Sequence, residues 1–223
     1  MTTGRDASPR RAARGVAPMP RTVVGGDSAE PTVSVTAVKL LVAGGFGVGK
    51  TTMVSSISEI TPLRTEEVLT ELSVGVDDLS GVERKTTTTV ALDFGRITLS
   101  QHLVLYLFGT PGQDRFDFMW EILGEGMIGY LLLVDAARED SIQEAAGILD
   151  AFRTMARVPF VVGLNRAGGD EHLLVESVRS RLEIPSDIAI LPCDATDKES
   201  VKNVLLALLY AVLDEVEAEA VRA

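Results

Sequence analysis

Residues 44 to 51 read Gly-Gly-Phe-Gly-Val-Gly-Lys-Thr, a match to G-x-x-x-x-G-K-[ST]. The apolar run Val38–Ala43 precedes it and the stretch Thr52-Met53-Val54-Ser55-Ser56-Ile57 follows, so the context is strand, loop, helix. Such a loop suits phosphate: glycines let consecutive backbone N–H groups turn inward, and the helix N-terminus adds its positive end. Lys50 brings a full charge to β- and γ-phosphates, and the Thr51 hydroxyl suits Mg²⁺, a hard cation that prefers oxygen. A mere glycine-rich turn has no need of Lys and Thr at its end. The candidate phosphate-contacting set is therefore Gly44, Gly47, Val48, Gly49, Lys50, Thr51 and Thr52.

The chain around this loop is built to bury a core, with 46 % hydrophobic residues in 223. Its formal charge of −11 disfavours non-specific attraction to nucleic acid or to an anionic membrane. A lone cysteine, Cys193, excludes an intramolecular disulfide, and two histidines make no zinc-spaced cluster, which fits a reducing, cytoplasmic setting. No apolar run approaches the roughly 18 to 20 residues that span a bilayer, and neither terminus carries a lipidation motif, so no intrinsic membrane anchor is expected.

Residues 1–37 hold prolines, glycines and five arginines against three acids, without apolar periodicity, and read as a disordered basic tail. From Val38 onward, strand-length apolar runs alternate with helical periods. Strands are expected at Val38–Ala43, Val90–Leu99, His102–Phe108, Gly129–Val134, Pro159–Leu164 and Ile188–Leu191. Only Ser100-Gln101 separates the second and third, which makes them an antiparallel hairpin at one edge of a sheet otherwise parallel. The expected fold is thus a P-loop NTPase α/β/α sandwich over 38–223, with a mostly parallel six-stranded sheet and one antiparallel edge strand. Ser141-Ile142-Gln143-Glu144 and Thr196-Asp197-Lys198-Glu199 look like capping boxes opening two helices, and the acidic end from Asp214 opposes the macrodipole of the last helix and is expected to fray.

Read further, the order of elements resembles the Ras-like small GTPases, in particular the bacterial gliding-motility and actinomycete conservon-type branch, over roughly Val38 to Leu213. Thr86-Thr87-Thr88-Thr89 with Asp93-Phe94 resembles switch I, which implies Thr89, or its neighbour Thr88, as the residue that closes on Mg²⁺ and the γ-phosphate. Gly109-Thr110-Pro111-Gly112-Gln113 resembles switch II, which implies a Gly112 N–H on the γ-phosphate and Gln113 orienting the attacking water. The acid usual at the first switch II position is Gly109 here, leaving Thr51 and Thr89 as the metal ligands. Asp135, at the end of an apolar run, has the look of a Walker B acid and equally of a structural or capping residue. Asn165-Arg166-Ala167-Gly168 stands where N-K-x-D reads guanine: Asn165 ties the loop down, the stem of Arg166 covers the base, Gly168 lacks the acid, and Asp170 follows two residues later. Asp194-Ala195-Thr196 aligns with the last base loop and implies an Ala195 N–H facing guanine O6.

Between Lys50 and Thr89 the chain is longer than in compact members of that superfamily. The surplus, 62–85, contains a short helical pattern at Glu66, Glu67, Val68, Leu69, Glu71 and Leu72, and reads either as a lid or partner element or as a passive insertion. Phe46 stands above the phosphates, where its ring hinders an arginine delivered in trans, so unaided hydrolysis is expected to be slow; Arg84 and Arg115 are the candidates in cis. Phe116, Phe118, Met119, Trp120 and Ile122 follow Gln113, as a partner hot spot or as core. The resemblance implies GTP and GDP as ligands with Mg²⁺, a roadblock-type regulatory protein as partner, and a signalling complex that reaches the membrane only through partners. A nucleotide-dependent interaction module with little hydrolysis, or with relaxed choice between GTP and ATP, is the second reading. A small-molecule kinase ranks third, since no arginine-rich lid follows the third helix.

Overall fold

A computed structural model describes residues 35–61, 63–70, 87–112, 118–168 and 171–222. In chain order the elements are β1 (Thr36–Ala43), α1 (Lys50–Ile57), β2 (Leu63–Thr70), β3 (Thr87–Ser100), β4 (Leu103–Gly109), α2 (Phe118–Gly124), β5 (Gly129–Asp135), α3 (Glu139–Met155), β6 (Phe160–Asn165), α4 (Glu171–Arg181), β7 (Ile190–Pro192) and α5 (Lys198–Arg222). The strands form one sheet in the order β2-β3-β4-β1-β5-β6-β7. All neighbours pair in parallel except β3, which is antiparallel to both β2 and β4.

The α/β architecture is the one expected, with one strand more. β2 occupies part of the stretch where a helical pattern stood, and 66–70 pair with 87–91 of β3 instead. The antiparallel strand is therefore second from the edge. Residues 66–72 alternate too imperfectly for period alone to decide; the available edge of β3 satisfies the backbone groups of 66–70, and Glu71 and Leu72 lie outside the described residues.

Strand periodicity assigns the two cores. Leu40, Val42, Leu131 and Leu133 face α1 and α5, meeting Met53, Val54, Val201, Val204, Leu205 and Leu208. Their neighbours Leu41, Ala43, Leu132 and Val134 face the other way, onto Leu149 and Phe152 of α3 and Val178 of α4. Every residue of β5 is buried, as befits a strand covered on both faces. Met119 and Trp120 of α2 are buried, and Trp120 belongs to the second core, its indole tilted against the Phe152 ring at 5.8 Å and donating to the Pro111 carbonyl at 3.3 Å. These two are core residues, whereas Ile122 is exposed; Phe116 lies outside the described residues.

Helix starts differ in detail from the capping boxes. α3 begins two residues before Ser141, whose Oγ instead accepts the Asp135 N–H at 2.9 Å, and Glu144 is taken by Arg138. For α5 the cap is Asp197, which accepts the Glu199 N–H at 3.2 Å, while Thr196 bonds Asp194. The acidic end of α5 does not fray: the helix runs on to Arg222, which pairs with Glu215. A cation in the last turn complements the negative end of the helix dipole. Among the described residues no helix is long and apolar enough to cross a membrane.

β1 sits between β4 and β5, with α1 on one face of the sheet and α3 on the other. This reversal at the carboxyl ends of β1 and β5 is where open α/β sheets bind ligands. Phe152→Ala, at a fully buried ring, is expected to cost about 3–5 kcal/mol in urea unfolding. Val221→Ala on the exposed end of α5 is expected to stay within about 0.5 kcal/mol.

Candidate functional site

The loop leaves β1 at Gly44 and enters α1 at Lys50, and each of its carbonyls has a donor. Gly44 O and Gly45 O accept from Lys50 Nζ at 2.7 and 2.6 Å. Phe46 O accepts from Arg138 at 3.2 Å, Gly47 O from Arg166 at 3.2 Å, and Val48 O from Asn165 Nδ2 at 2.7 Å. Gly49 O accepts the Met53 N–H at 2.8 Å, the first bond of the helix. In a trans peptide the C=O and the following N–H point in opposite directions, so the Phe46, Gly47 and Val48 carbonyls, held by side chains outside the loop, turn the Gly47, Val48 and Gly49 N–H groups the other way. That is the donor arrangement a chain of phosphates requires. Gly49, at φ 111°, could not be replaced without strain, and a Cβ there would stand 2.5 Å from Asn165 Nδ2.

Lys50 is only 8 % exposed. Burial lowers its pKa to about 8, partly countered by the Asp93 and Glu144 carboxylates. Gly112 lies against this amine, for a Cβ at 112 would fall 2.6 Å from Nζ. The sequence-derived switch II glycine and the loop lysine are thus brought together, and they line a cavity of about 500 Å³ with Thr51, Thr52 and Asp93.

Asp93 is a candidate site residue that motif reading did not single out. It faces Gly109 across the β3–β4 ladder, and its Oδ2 accepts the Thr51 hydroxyl at 2.5 Å. A Cβ at Gly109 would stand 3.0 Å from the Asp93 Cβ and 3.1 Å from Oδ2. A carboxylate from the neighbouring strand thus occupies the space that a side chain at 109 would take. The signal in the sequence was a single acid inside the β-rich run Val90–Phe94. A carboxylate beside a threonine hydroxyl, both at the phosphate end of the cavity, is a donor set that fits Mg²⁺. Among the described residues no group of three or more His, Cys, Asp or Glu side chains could hold a metal by itself, so such an ion would share its coordination with phosphate oxygens.

The base loops converge on Asn165, which is 5 % exposed. Besides holding Val48 O, its Oδ1 accepts the Arg166 N–H at 3.0 Å and the Ala195 N–H at 3.2 Å. The Ala195 amide, expected to face a base oxygen, is directed here at Asn165. Arg166 adopts the left-handed region at φ 57° and sends its guanidinium to Gly47 O and to the buried Asp135. Asp135 thus binds two arginines rather than facing the Thr51–Asp93 pair. Arg166 also borders a second cavity of about 530 Å³ with Asn165, Ala167, Asp194 and Asp197. Gly168 adds no acid to it, and Asp170 lies outside the described residues, as do Gln113, Arg84 and Arg115. Thr89 is in β3 opposite Val68, four residues before Asp93 on the same strand.

A family model described as "Conserved hypothetical ATP binding protein" matches residues 42–215, from the end of β1 into α5. An uncharacterized protein of Methanocaldococcus jannaschii is 30 % identical over 133 residues, covering 58 % of this chain and 70 % of that protein.

The Lys50 pKa carries a pH dependence. Anionic phosphate favours the ammonium form, so binding above pH about 8 takes up a proton that the free site has lost. The dissociation constant for a nucleoside triphosphate is expected to be flat below pH 7 and to rise about tenfold per pH unit above the free pKa, until the bound amine itself titrates. Calorimetry between pH 6.5 and 9.5 measures it; a constant affinity throughout would contradict the role assigned to Lys50.

Proposed function

Because the chain belongs to the family of conserved hypothetical ATP-binding proteins, nucleotide-binding proteins on a P-loop fold, we propose that it is a regulatory nucleotide switch. In this reading it binds a nucleoside triphosphate with Mg²⁺, hydrolyses it slowly, and engages a partner in one nucleotide state. The observation that carries the reading is the phosphate loop, with every carbonyl from 44 to 49 occupied and Lys50 buried in front of it.

Lys50 compensates charge on the terminal phosphates, and the loop amides hold their oxygens. Mg²⁺ supplies charge neutralisation on those oxygens; Thr51 and Asp93 are the residues that would hold it, with Thr89 as the switch I ligand. Gly112 presents its N–H to the γ-phosphate, and Gln113 orients the attacking water. Phe46, with 66 % of its surface exposed, screens the phosphates from a cation brought by a partner, which supports slow turnover.

The order of motifs supports guanine as the base, with GTP and GDP as the two states. Asn165 and Arg166 hold the base loop, and Ala195 turns its N–H toward the base once a ligand competes with Asn165. Relaxed choice of base, or a preference for ATP, is the second reading; Gly168 in place of the guanine-reading acid and the description of the family favour it. The resemblance to gliding-motility GTPases supports a roadblock-type protein as partner, and attachment to a membrane only through such a partner.

Competition calorimetry of GTP against ATP separates the two base readings: a preference above about 100-fold for GTP supports the first, equal affinity the second. Lys50→Ala is expected to abolish binding of either. Gln113→Ala should slow single-turnover phosphate release by at least about tenfold at unchanged affinity, and an unchanged rate would remove Gln113 from the mechanism. Asp93→Asn should raise the Mg²⁺ concentration needed for half-maximal triphosphate binding about tenfold or more while leaving metal-free diphosphate affinity nearly unchanged.

A further inference from the structure

One buried carboxylate stands behind two of the carbonyls that shape the loop. Asp135 ends β5 with 2 % of its side chain exposed. Its Oδ1 accepts the Ala137 N–H at 3.0 Å; its Oδ2 meets Arg166 Nη1 in a short ion pair and Arg138 Nε at 3.4 Å. The two guanidiniums then reach the loop from the same side: Arg166 donates to Gly47 O and Arg138 to Phe46 O, each at 3.2 Å. Glu144 steadies Arg138 from α3, also at 3.2 Å. The loop has given way to this contact, for a Cβ at Gly45 would fall 1.9 Å from Glu144 Oε2. Any larger residue at 45 would displace the carboxylate that steers Arg138.

We propose that Asp135 is a positioning residue for nucleotide binding: by orienting Arg166 and Arg138 it fixes the Phe46 and Gly47 carbonyls outward and so aims the Gly47 and Val48 N–H groups at the phosphates. The inference rests on the nucleotide-binding reading above and assigns a role within it to a residue that touches no phosphate. Peptide planarity makes the mechanism specific. Rotating either carbonyl away from its arginine rotates the next amide out of the cradle by the same angle. The arginines are 36 % and 52 % exposed, so on their own they would sample many rotamers; the buried anion limits that freedom. The left-handed backbone at Arg166 is held by the same contacts, through the Asn165 Oδ1 bond on one side and the Asp135 pair on the other.

The test is a double-mutant cycle on the full chain, read as the dissociation rate of a fluorescent GDP analogue and repeated with an ATP analogue. Asp135→Asn keeps the shape and an oxygen for the Ala137 N–H but removes the charge that orders the arginines. It is expected to speed dissociation about tenfold or more, the size of a lost charged hydrogen bond. Arg166→Met is expected to act in the same direction, and the double variant to be no worse than the worse single variant, because both changes break one device. A merely structural Asp135 would instead lower the melting temperature of the nucleotide-free protein with dissociation unchanged, or give additive effects in the cycle; either result overturns the proposal. Should Asp135→Asn fail to fold, Arg138→Met paired with Arg166→Met carries the same cycle, with wild-type dissociation in both as the overturning result. If the wild-type chain binds neither analogue, the functional reading itself falls; if it binds and Asp135→Asn matches it, only this inference does.

Discussion

A loop that is to grip phosphate must keep its amides pointing at empty space until the ligand arrives, which leaves its carbonyls to be restrained from elsewhere. In this chain six consecutive carbonyls, 44 to 49, are so restrained, by groups drawn from α1, the residue before α3, and the end of β6. The restraint is what makes the loop a site rather than a turn. It also explains why Lys50 can lie buried: its Nζ donates to two of those carbonyls and feels the Asp93 and Glu144 charges, which offsets part of the desolvation that still lowers its pKa. The cation that awaits the phosphates and the scaffold of the loop are the same side chain.

Much of this architecture was legible because β5 and β6 are fully buried runs, and β1 is buried over its last four residues, Leu40 to Ala43, just before the phosphate loop. Their hydrophobic pattern admits only a strand covered on both faces. The loop itself was readable for a different reason: G-x-x-x-x-G-K-[ST] encodes backbone geometry directly in residue types. What sequence could not settle was pairing. Residues 63–70 carry no strong period, and their strand state depends on β3 offering an open edge, a tertiary fact. The capping boxes failed similarly. Ser141 and Glu144 have the right spacing to cap a helix, but the Ser141 hydroxyl is taken by the Asp135 N–H, a donor that otherwise would be left buried and unpaired, and Glu144 by the Arg138 guanidinium.

The largest gap between motif and structure concerns the acid. A motif scan looks along one strand, whereas an acid in a sheet can be replaced from the strand beside it. The antiparallel ladder places Asp93 opposite Gly109, and the glycine leaves the volume that the Asp93 carboxylate fills. The glycine at 109 is therefore the complement of the aspartate at 93. Neither residue is interpretable alone, and no pattern confined to residues 109–113 would connect them.

This exchange alters how the site is coupled to the sheet. With the acid on β4, a carboxylate would be anchored beside β1 and independent of the strand outside it. With the acid on β3, it shares a strand with Thr89, four residues away, and both are carried by a strand bonded on one side to β4 and on the other to the edge strand β2. A strand moves largely as a unit, and a slip of one residue would turn Asp93 to the opposite face of the sheet, away from Thr51. The Thr51–Asp93 hydrogen bond thus ties β3 to the first turn of α1 at the register that sets Asp93 opposite Gly109.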